Sequence, residues 1–178
     1  MSFPDFCLSR PVPVYLGIGS NMGDKMANCN LAIDMIDSMP GSVVTLRSSF
    51  YRTEPVGVEG HDWYINCAAC ILTNTDPLAL LKNLLEIEAA MGRKRKKKWD
   101  PRSIDIDILL FGPGRIITVP DLKVPHPLMH KRRFVLVPMA QIAPDLVHPV
   151  YNMTMTELLN MLGKDGQAVS PVSDSYCS

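Results

Sequence analysis

The sequence has no excess charge of either sign and no long apolar run. Its 18 Lys and Arg residues balance 18 Asp and Glu residues, so the formal net charge is zero. A balanced chain gives no indication of a general nucleic-acid or membrane surface. No apolar run approaches the roughly 18 residues of a membrane span, and the amino terminus lacks the basic and apolar segments of a leader. We therefore expect a cytoplasmic protein that binds neither nucleic acid nor membrane.

The chain also lacks a disulfide framework. It contains five cysteines, and an odd number suits a reducing compartment. Cys67 and Cys70 form a CxxC pair within the apolar run 65–72, where their spacing places them on opposite faces of a strand. We interpret them as small apolar residues of the core rather than as zinc or redox ligands.

Neither common glycine-rich phosphate-binding pattern is present. The stretch GIGSNMG at 17–23 departs from both GxxxxGK[ST] and GxGxxG, which argues against a P-loop kinase and a dinucleotide-binding fold. Any phosphate that this chain binds must therefore be held in another way.

The chain is long enough for one hydrophobic core and short for two domains, with 178 residues of which 47% are hydrophobic. We expect an N-terminal tail at 1–13, a single domain at 14–162 and a flexible, polar C-terminal tail at 163–178. We expect the protein to be a monomer.

Apolar periodicity predicts alternating strands and helices. Asp24 and Asp76 each precede an amphipathic segment and are predicted to cap a helix. Thr154 and Glu157 have the spacing of a capping box and predict a last helix near 154–162. The predicted strands lie at 14–18, 43–51, 64–72, 104–110 and 115–118.

The order of the first six elements is strand, helix, strand, strand, helix, strand. This is the split βαβ arrangement, so we predict an α+β, ferredoxin-like βαββαβ sandwich with added C-terminal elements. Both helices would then cover one face of the sheet and leave the other face for substrate or for the added elements.

The strongest chemical signal is WDPRSIDIDILLF at 99–111. Asp105 and Asp107 are predicted on one face of a strand, about 6.5 Å apart along it, where both could serve the same cations. Mg²⁺ prefers oxygen ligands and usually takes only one or two carboxylates. An amphipathic edge strand with two solvated acids remains an alternative, because DxD is a short pattern. The residues predicted on the opposite, buried face are Ile104, Ile106, Ile108 and Leu110.

A basic run at 93–98 lies directly before the acidic strand. Its lysines at 96–98 are typical of a solvated loop. Arg93, Arg95 and Arg102 are better candidates for phosphate, because a guanidinium offers a planar fork of donors. His126 could add a further donor.

Aromatic and amide side chains give a second signal. Tyr64, Asn66 and Phe134 could hold a flat heterocycle by stacking and by hydrogen bonds to its edge. Ordinary core aromatics would show the same pattern.

Together these motifs resemble the 6-hydroxymethyl-7,8-dihydropterin pyrophosphokinase family, ATP-using enzymes of the folate pathway. The resemblance covers about 14–162. Its matching pieces, in the family's order and at nearly its spacing, are YLGIGSNMGD, SSFYRTEPVG, WYINCA, IEAAMGRKR, WDPRSIDIDILLFG and VPHPLMHKRRFVLVPM.

The resemblance implies that the β,γ-pyrophosphoryl group of ATP passes to the pterin's hydroxymethyl oxygen, with attack on the β-phosphorus and release of AMP. It implies that Asp105 and Asp107 hold two Mg²⁺ ions on the triphosphate. Contacts to the pterin are implied for Tyr64 and Phe134, whose rings sandwich it, and for Asn66, Thr53 and Val56, which hydrogen-bond its edge.

The resemblance also assigns residues to ATP and to a mobile, closing loop. The loop carries Arg93, Arg95 and Arg102, which grip phosphates, and Trp99, which closes over the site. Further nucleotide contacts are implied for His126, Arg132, Glu88, Leu81 and Ile108.

Three features depart from the family pattern. Only the lysines at 96–98 separate Arg95 from Trp99, so the loop is a residue shorter and more basic than in a familiar bacterial member. Leu85 stands where a polar residue is expected near adenine, and Pro127 follows His126 where an aromatic is often found. Loop closure and ATP affinity are therefore expected to differ.

Two other functions are compatible with parts of the pattern. A ferredoxin-like RNA-binding module would use the basic run and exposed aromatics, but no KGFGFV-type motif appears on a strand. An inactive relative could act as a pterin sensor, although the intact acids and arginines argue against it.

Overall fold

The structure is a computed structural model that describes residues 10–55, 62–92, 103–163 and 166–172. The helices are α1 (Lys25–Asp37), α2 (Pro77–Ala90), α3 (Arg133–Ile142) and α4 (Met155–Met161), with a short 3₁₀ helix at Met129–Lys131. The longer strands are β1 (Val12–Ser20), β2 (Ser42–Arg47), β3 (Tyr51–Thr53), β4 (Tyr64–Thr73) and β5 (Asp105–Phe111). The shorter strands are β6 (Ile117–Val119), β7 (Leu122–Val124), β8 (Val147–His148), β9 (Met153–Thr154) and β10 (Val169–Pro171).

The central sheet is antiparallel and has six strands. Its order is β10, β3, β4, β1, β5, and β2 also pairs with β4. If β2 and β3 are counted together as the second strand, β4 is the third and β5 the fourth. The order across the sheet is then second, third, first, fourth. That is the ferredoxin-like arrangement, and the predicted α+β fold with added C-terminal elements is confirmed.

Helices α1 and α2 cover one face of this sheet, as predicted. Asp24 accepts a hydrogen bond from Ala27 N at the start of α1, and Asp76 accepts one from Leu78 N at the start of α2. Both predicted caps are therefore confirmed. The apolar stripes of the two helices pack on strand residues in one core that includes Leu16, Ile33, Ile71, Leu84 and Ile106.

A β-bulge in β5 changes the predicted alternation. Tyr15 pairs with Leu110, but the next residue, Leu16, pairs with Ile108, so Leu109 is the extra residue. The isoleucines before the bulge face α1 and α2, as predicted. Leu110 was predicted on that face and lies on the other one, in a second core under α3 and α4. Alternation cannot continue through a bulge, because the extra residue inverts the faces that follow.

The second core shows that the added elements cover part of the other sheet face. It contains Ala68, Leu110, Met129, Leu136 and Met155 among its buried residues. Helix α3 was not predicted from the sequence, and it contains Pro138 in its interior. The last helix, α4, is confirmed with both hydrogen bonds of its capping box.

The two cysteines of the CxxC pair lie in strand β4, and both are buried and free. Cys67 belongs to the core under α1 and α2. Cys70 contacts Tyr15, which packs against the second core on the opposite face. The predicted use of these cysteines as small core residues is confirmed.

Several strand boundaries differ from the prediction, and two of these differences change how the sheet is built. The strand expected at 43–51 is split into β2 and β3. Between them Ser48 Oγ accepts from Ala68 N at 2.9 Å, and Ser48 N donates to Ala68 O at 2.9 Å. Part of the segment expected to be a flexible tail, Val169–Pro171, forms strand β10 against β3. Pairing at a sheet edge uses main-chain groups, so a polar sequence can join it.

Within the described residues, no helix is both long and apolar enough to cross a membrane.

Candidate active site

Three neighbouring strands bring an amide and a carboxylate to one row of the sheet. Gly19 of β1 pairs with Asn66 on one side and with Asp105 on the other. Residues directly opposite each other in antiparallel strands project from the same face. Two strand spacings of about 4.8 Å separate Asn66 from Asp105, so their Cα atoms lie roughly 10 Å apart. Because glycine has no side chain, the space above its main chain is open to the side chains beside it.

The Asn66 amide lies over this glycine. A Cβ atom added at Gly19 would lie 2.2 Å from Asn66 Oδ1. Asn66 Nδ2 donates to Thr53 Oγ1 at 2.6 Å, and both residues are buried. This bond fixes the amide plane with its oxygen toward β1. The site therefore contains an oriented amide at a sheet position that only glycine allows.

Gly19 was not selected by the sequence analysis, although GIGSN contained the signal. We expect Gly19→Ala to push the Asn66 amide aside and lower the free energy of unfolding by about 1–3 kcal/mol through overpacking. Gly17→Ala is the matched control, because a Cβ there would lie 3.4 Å from Leu109 Cδ2, a contact that Leu109 can relieve. Chemical denaturation of both variants tests this. Equal losses in the two would contradict the account of Gly19.

Asp105 and Asp107 both lie on the face opposite α1 and α2 and are half-buried. Asp107 Oδ2 lies 3.9 Å from His126 Nε2, which is beyond a hydrogen bond. Within the described ranges, no group of three or more His, Cys, Asp or Glu side chains is arranged to hold a metal ion. Mg²⁺ needs only one or two carboxylates when water and phosphate oxygens complete its shell, so this pair suits it.

Burial and, second, the nearby Arg132 lower the pKa of His126 to about 4, against an opposing effect of Asp105. This lowered pKa favours the neutral imidazole near pH 7. Its Nδ1 accepts from Leu128 N at 3.2 Å, so the proton resides on Nε2, the atom that faces Asp107. His126 N donates to Leu109 O at 2.9 Å, which ties this segment to the bulge of β5.

Glu88 supports the strand that carries the aspartates. Its side chain is buried, and Oε1 accepts from Ile106 N at 2.7 Å. Among the strands that the structure describes, β5 is an edge of the sheet, so none of them pairs with this main-chain N–H on that side. The carboxylate therefore completes the hydrogen bonding of β5 between Asp105 and Asp107.

We expect Glu88→Ala to lower the free energy of unfolding by about 1–3 kcal/mol, because it leaves the Ile106 N–H without its acceptor. Glu88→Gln keeps an acceptor oxygen and should lose less. Glu86→Ala, in the same helix, removes only an exposed pair with Lys82 at 3.8 Å and should change stability by less than about 0.5 kcal/mol. Equal urea midpoints for Glu88→Ala and Glu86→Ala would show that the bond to Ile106 contributes nothing.

The two predicted aromatic residues lie on β4 and on α3. Tyr64 is half-buried and pairs with Thr53 at the start of β4. Phe134 is half-buried in the first turn of α3, and the Arg132 guanidinium lies 5.4 Å from its ring centroid. The sheet and α3 thus present one ring each on the face that carries Asn66.

The remaining predicted residues divide into two groups. Ile108 is buried in the core under α1 and α2, on the face opposite the carboxylates, and Leu81 packs against that core. A contact of either with adenine stays a prediction. The residues that lie outside the described ranges are Val56, Arg93, Arg95, Trp99, Arg102 and the lysines at 96–98.

The comparison with known families gives a match over most of the chain. The family described as 7,8-dihydro-6-hydroxymethylpterin-pyrophosphokinase (HPPK) matches residues 15–144. A relative from Methylorubrum extorquens, named 2-amino-4-hydroxy-6-hydroxymethyldihydropteridine pyrophosphokinase, is 45% identical over 152 residues, 85% of this chain and 94% of its own length. The relative of the same name from Bacillus subtilis is 41% identical over 128 residues, covering 72% of this chain and 76% of its own.

A solved structure shows the same fold. Wild-type Plasmodium falciparum HPPK-DHPS with pteroate superposes with a TM-score of 0.71 at 15% sequence identity. The match covers 90% of this chain and 43% of that longer chain, so this chain spans less than half of the Plasmodium protein. At this identity the likeness establishes the architecture alone.

Proposed function

This chain belongs to the 7,8-dihydro-6-hydroxymethylpterin-pyrophosphokinase family, and we propose how its residues perform ATP-dependent pyrophosphoryl transfer to hydroxymethyldihydropterin in folate biosynthesis. The observation that carries the proposal is the row of Asn66, Gly19 and Asp105. It places the Cα atoms of Asn66 and Asp105 roughly 10 Å apart on one sheet face, with the Asn66 amide reaching over Gly19 between them. A bicyclic heterocycle whose edge bonds to this amide can direct its hydroxymethyl arm toward the carboxylate.

In this proposal the edge of the pterin meets the Asn66 amide, which itself lies over Gly19. The Asn66 amide, held by Thr53, offers a donor and an acceptor to the ring's edge. Tyr64 and Phe134 flank the ring and exclude water from its faces. Val56 is proposed to bond the ring's edge through its main chain. This orientation points the hydroxymethyl arm toward the carboxylates of β5.

Asp105 and Asp107 would hold two Mg²⁺ ions, which when bound neutralise the triphosphate and orient the attacking oxygen. The pair is proposed as the metal site because both side chains lie on the sheet face that carries Asn66. Glu88 holds the main chain between the two aspartates through its bond to Ile106 N, and so maintains the direction of both carboxylates. Our assignment of Glu88 to the nucleotide stays a prediction beside this observed role.

Cationic and neutral donors complete the proposed site for ATP. The neutral His126 ring carries its hydrogen on Nε2, and this N–H can donate a hydrogen bond to a phosphate oxygen. Arg132 lies beside the same region and offers a planar fork. We propose that Arg93, Arg95 and Arg102 grip the phosphates, that Trp99 closes over them, and that Leu81 and Ile108 contribute to the adenine end.

The proposed reaction needs no side-chain nucleophile. The hydroxymethyl oxygen bonds to the β-phosphorus and releases its proton to solvent, the bond from that phosphorus to the α,β-bridging oxygen breaks, and AMP leaves with that oxygen. Positioning and charge neutralisation carry most of the rate enhancement in such transfers. In this proposal Asn66 and Glu88 contribute to positioning, and the two Mg²⁺ ions with the proposed arginines would neutralise charge.

A metal titration tests the proposed Mg²⁺ requirement. ATP consumption should depend on 6-hydroxymethyl-7,8-dihydropterin, disappear with a chelator and return on addition of Mg²⁺. Pterin-dependent turnover that persists in excess chelator would contradict the metal site.

Tight pterin binding without turnover would instead favour the pterin sensor. Retention of single-stranded RNA at physiological salt would favour the RNA-binding module. We also propose that the protein acts as a monomer in the cytoplasm.

A further inference from the structure

Gln167, in the segment before β10, connects the end of β3 with the start of α3. Gln167 Nε2 donates to Glu54 O at 2.6 Å, and Glu54 directly follows Thr53. Gln167 Oε1 accepts from Phe134 N at 3.1 Å. One amide therefore joins the end of β3 to the start of α3, although Gln167 is more than a hundred residues from Glu54 in sequence.

Helix α3 has no local cap that could replace this bond. Its N-cap residue, Arg132, makes no side-chain capping hydrogen bond. The first N–H groups of a helix have no acceptor within the helix, and a side chain from elsewhere can supply one. Gln167 does so at the turn that carries the Phe134 ring.

The other end of the connection is also held by several bonds. Ala168 N donates to Glu54 Oε2 at 3.2 Å, and Glu54 N donates to Ala168 O at 3.0 Å. Val169 then pairs with Thr53, the residue that orients Asn66. The segment that carries Gln167 is therefore bonded directly to β3, whose Thr53 orients the Asn66 amide.

We propose that Gln167 is a positioning residue that sets the separation between the Phe134 ring and the wall formed by Thr53 and Asn66. This inference rests on the proposed binding of the pterin at the Asn66 amide. A flat ring held between a side chain on α3 and groups on the sheet binds well only when those parts are held at the correct distance. The Gln167 amide would fix that distance through its two hydrogen bonds, to Phe134 N and to Glu54 O.

The test is a comparison of kinetic constants for Gln167→Ala and for Ser170→Ala, an exposed residue of β10 that pairs through its main chain. Gln167→Ala should raise the KM for the pterin about fivefold to tenfold, as expected for the loss of a bridging hydrogen bond. The KM for ATP and kcat at saturating pterin should stay within about twofold. Ser170→Ala should change none of the three.

Gln167→Glu separates positioning from simple helix capping. It keeps an acceptor for Phe134 N but removes the donor to Glu54 O, so the proposal expects the pterin KM to stay raised. Full recovery of KM in this variant would show that capping alone matters and would overturn the proposal. An unchanged pterin KM in Gln167→Ala would overturn it as well.

Failure of the proposed function gives a different result. A wild-type protein that neither turns over nor binds the pterin would overturn the pterin site and this inference with it. If the wild type binds the pterin without turnover, a fluorescence titration can compare the Kd for the pterin in the wild type and in Gln167→Ala. The variant should then raise this Kd about fivefold to tenfold, as it would the KM.

Discussion

Asp107→Asn is expected to remove turnover while the fold is kept. The substitution removes one negative charge and one proposed metal ligand from a half-buried position beside His126. Loss of a group that stabilises charge in the transition state costs roughly 10²- to 10³-fold or more in rate. Circular dichroism and thermal unfolding should match the wild type, because the side chain belongs to neither apolar core.

The matched control is Asp145→Asn. Asp145 is exposed and follows α3 at the end opposite Phe134, so it changes the net charge equally without altering the site. Its turnover should equal that of the wild type. Wild-type turnover in Asp107→Asn would contradict the metal assignment, and equal losses in both variants would indicate a general effect of charge.

Asn66→Ala should have the largest effect on use of the pterin. The variant removes the amide over Gly19 and leaves the buried Thr53 hydroxyl without its partner. Removing a hydrogen-bonding partner inside a buried site costs about 1–3 kcal/mol, which corresponds to roughly 5- to 150-fold in affinity. We expect that rise in the KM for the pterin, with the KM for ATP nearly unchanged. Steady-state kinetics with each substrate varied in turn measures the difference.

Two substitutions at Thr53 serve as controls for the orientation of the amide. Thr53→Ser keeps the hydroxyl that accepts from Asn66 Nδ2 and should raise the pterin KM little. Thr53→Val removes the hydroxyl at nearly constant volume and should produce much of the Asn66→Ala effect. An Asn66→Ala variant that raises both substrates' KM values equally would place the amide elsewhere than at the pterin.

Local patterns in the sequence were sufficient for the parts of the fold that depend on local physics. Asp24 and Asp76 cap helices because a carboxylate beside free N–H groups stabilises a helix wherever it occurs. Asp105 and Asp107 share a face because strand side chains alternate. The neighbours of these acids across the sheet followed only from the register, which places Gly19 between Asp105 and Asn66.

The features that the sequence did not predict depend on contacts between distant segments. The bulge at Leu109 is set by pairing with β1, and it inverts the predicted face of Leu110. Strand β10 joins the sheet through main-chain bonds that leave no apolar pattern in the sequence. Gln167 is a polar residue in a polar segment, and only the fold shows that its amide meets Phe134 and Glu54.

The most direct test of the central claim is the identity of the nucleotide product. The protein is incubated with ATP, Mg²⁺ and 6-hydroxymethyl-7,8-dihydropterin, and AMP is separated from ADP by chromatography. The account predicts AMP in step with pterin pyrophosphate, and none without the pterin. ADP with a singly phosphorylated pterin would place the attack on the γ-phosphorus and contradict the proposed arrangement of the triphosphate over Asp105 and Asp107.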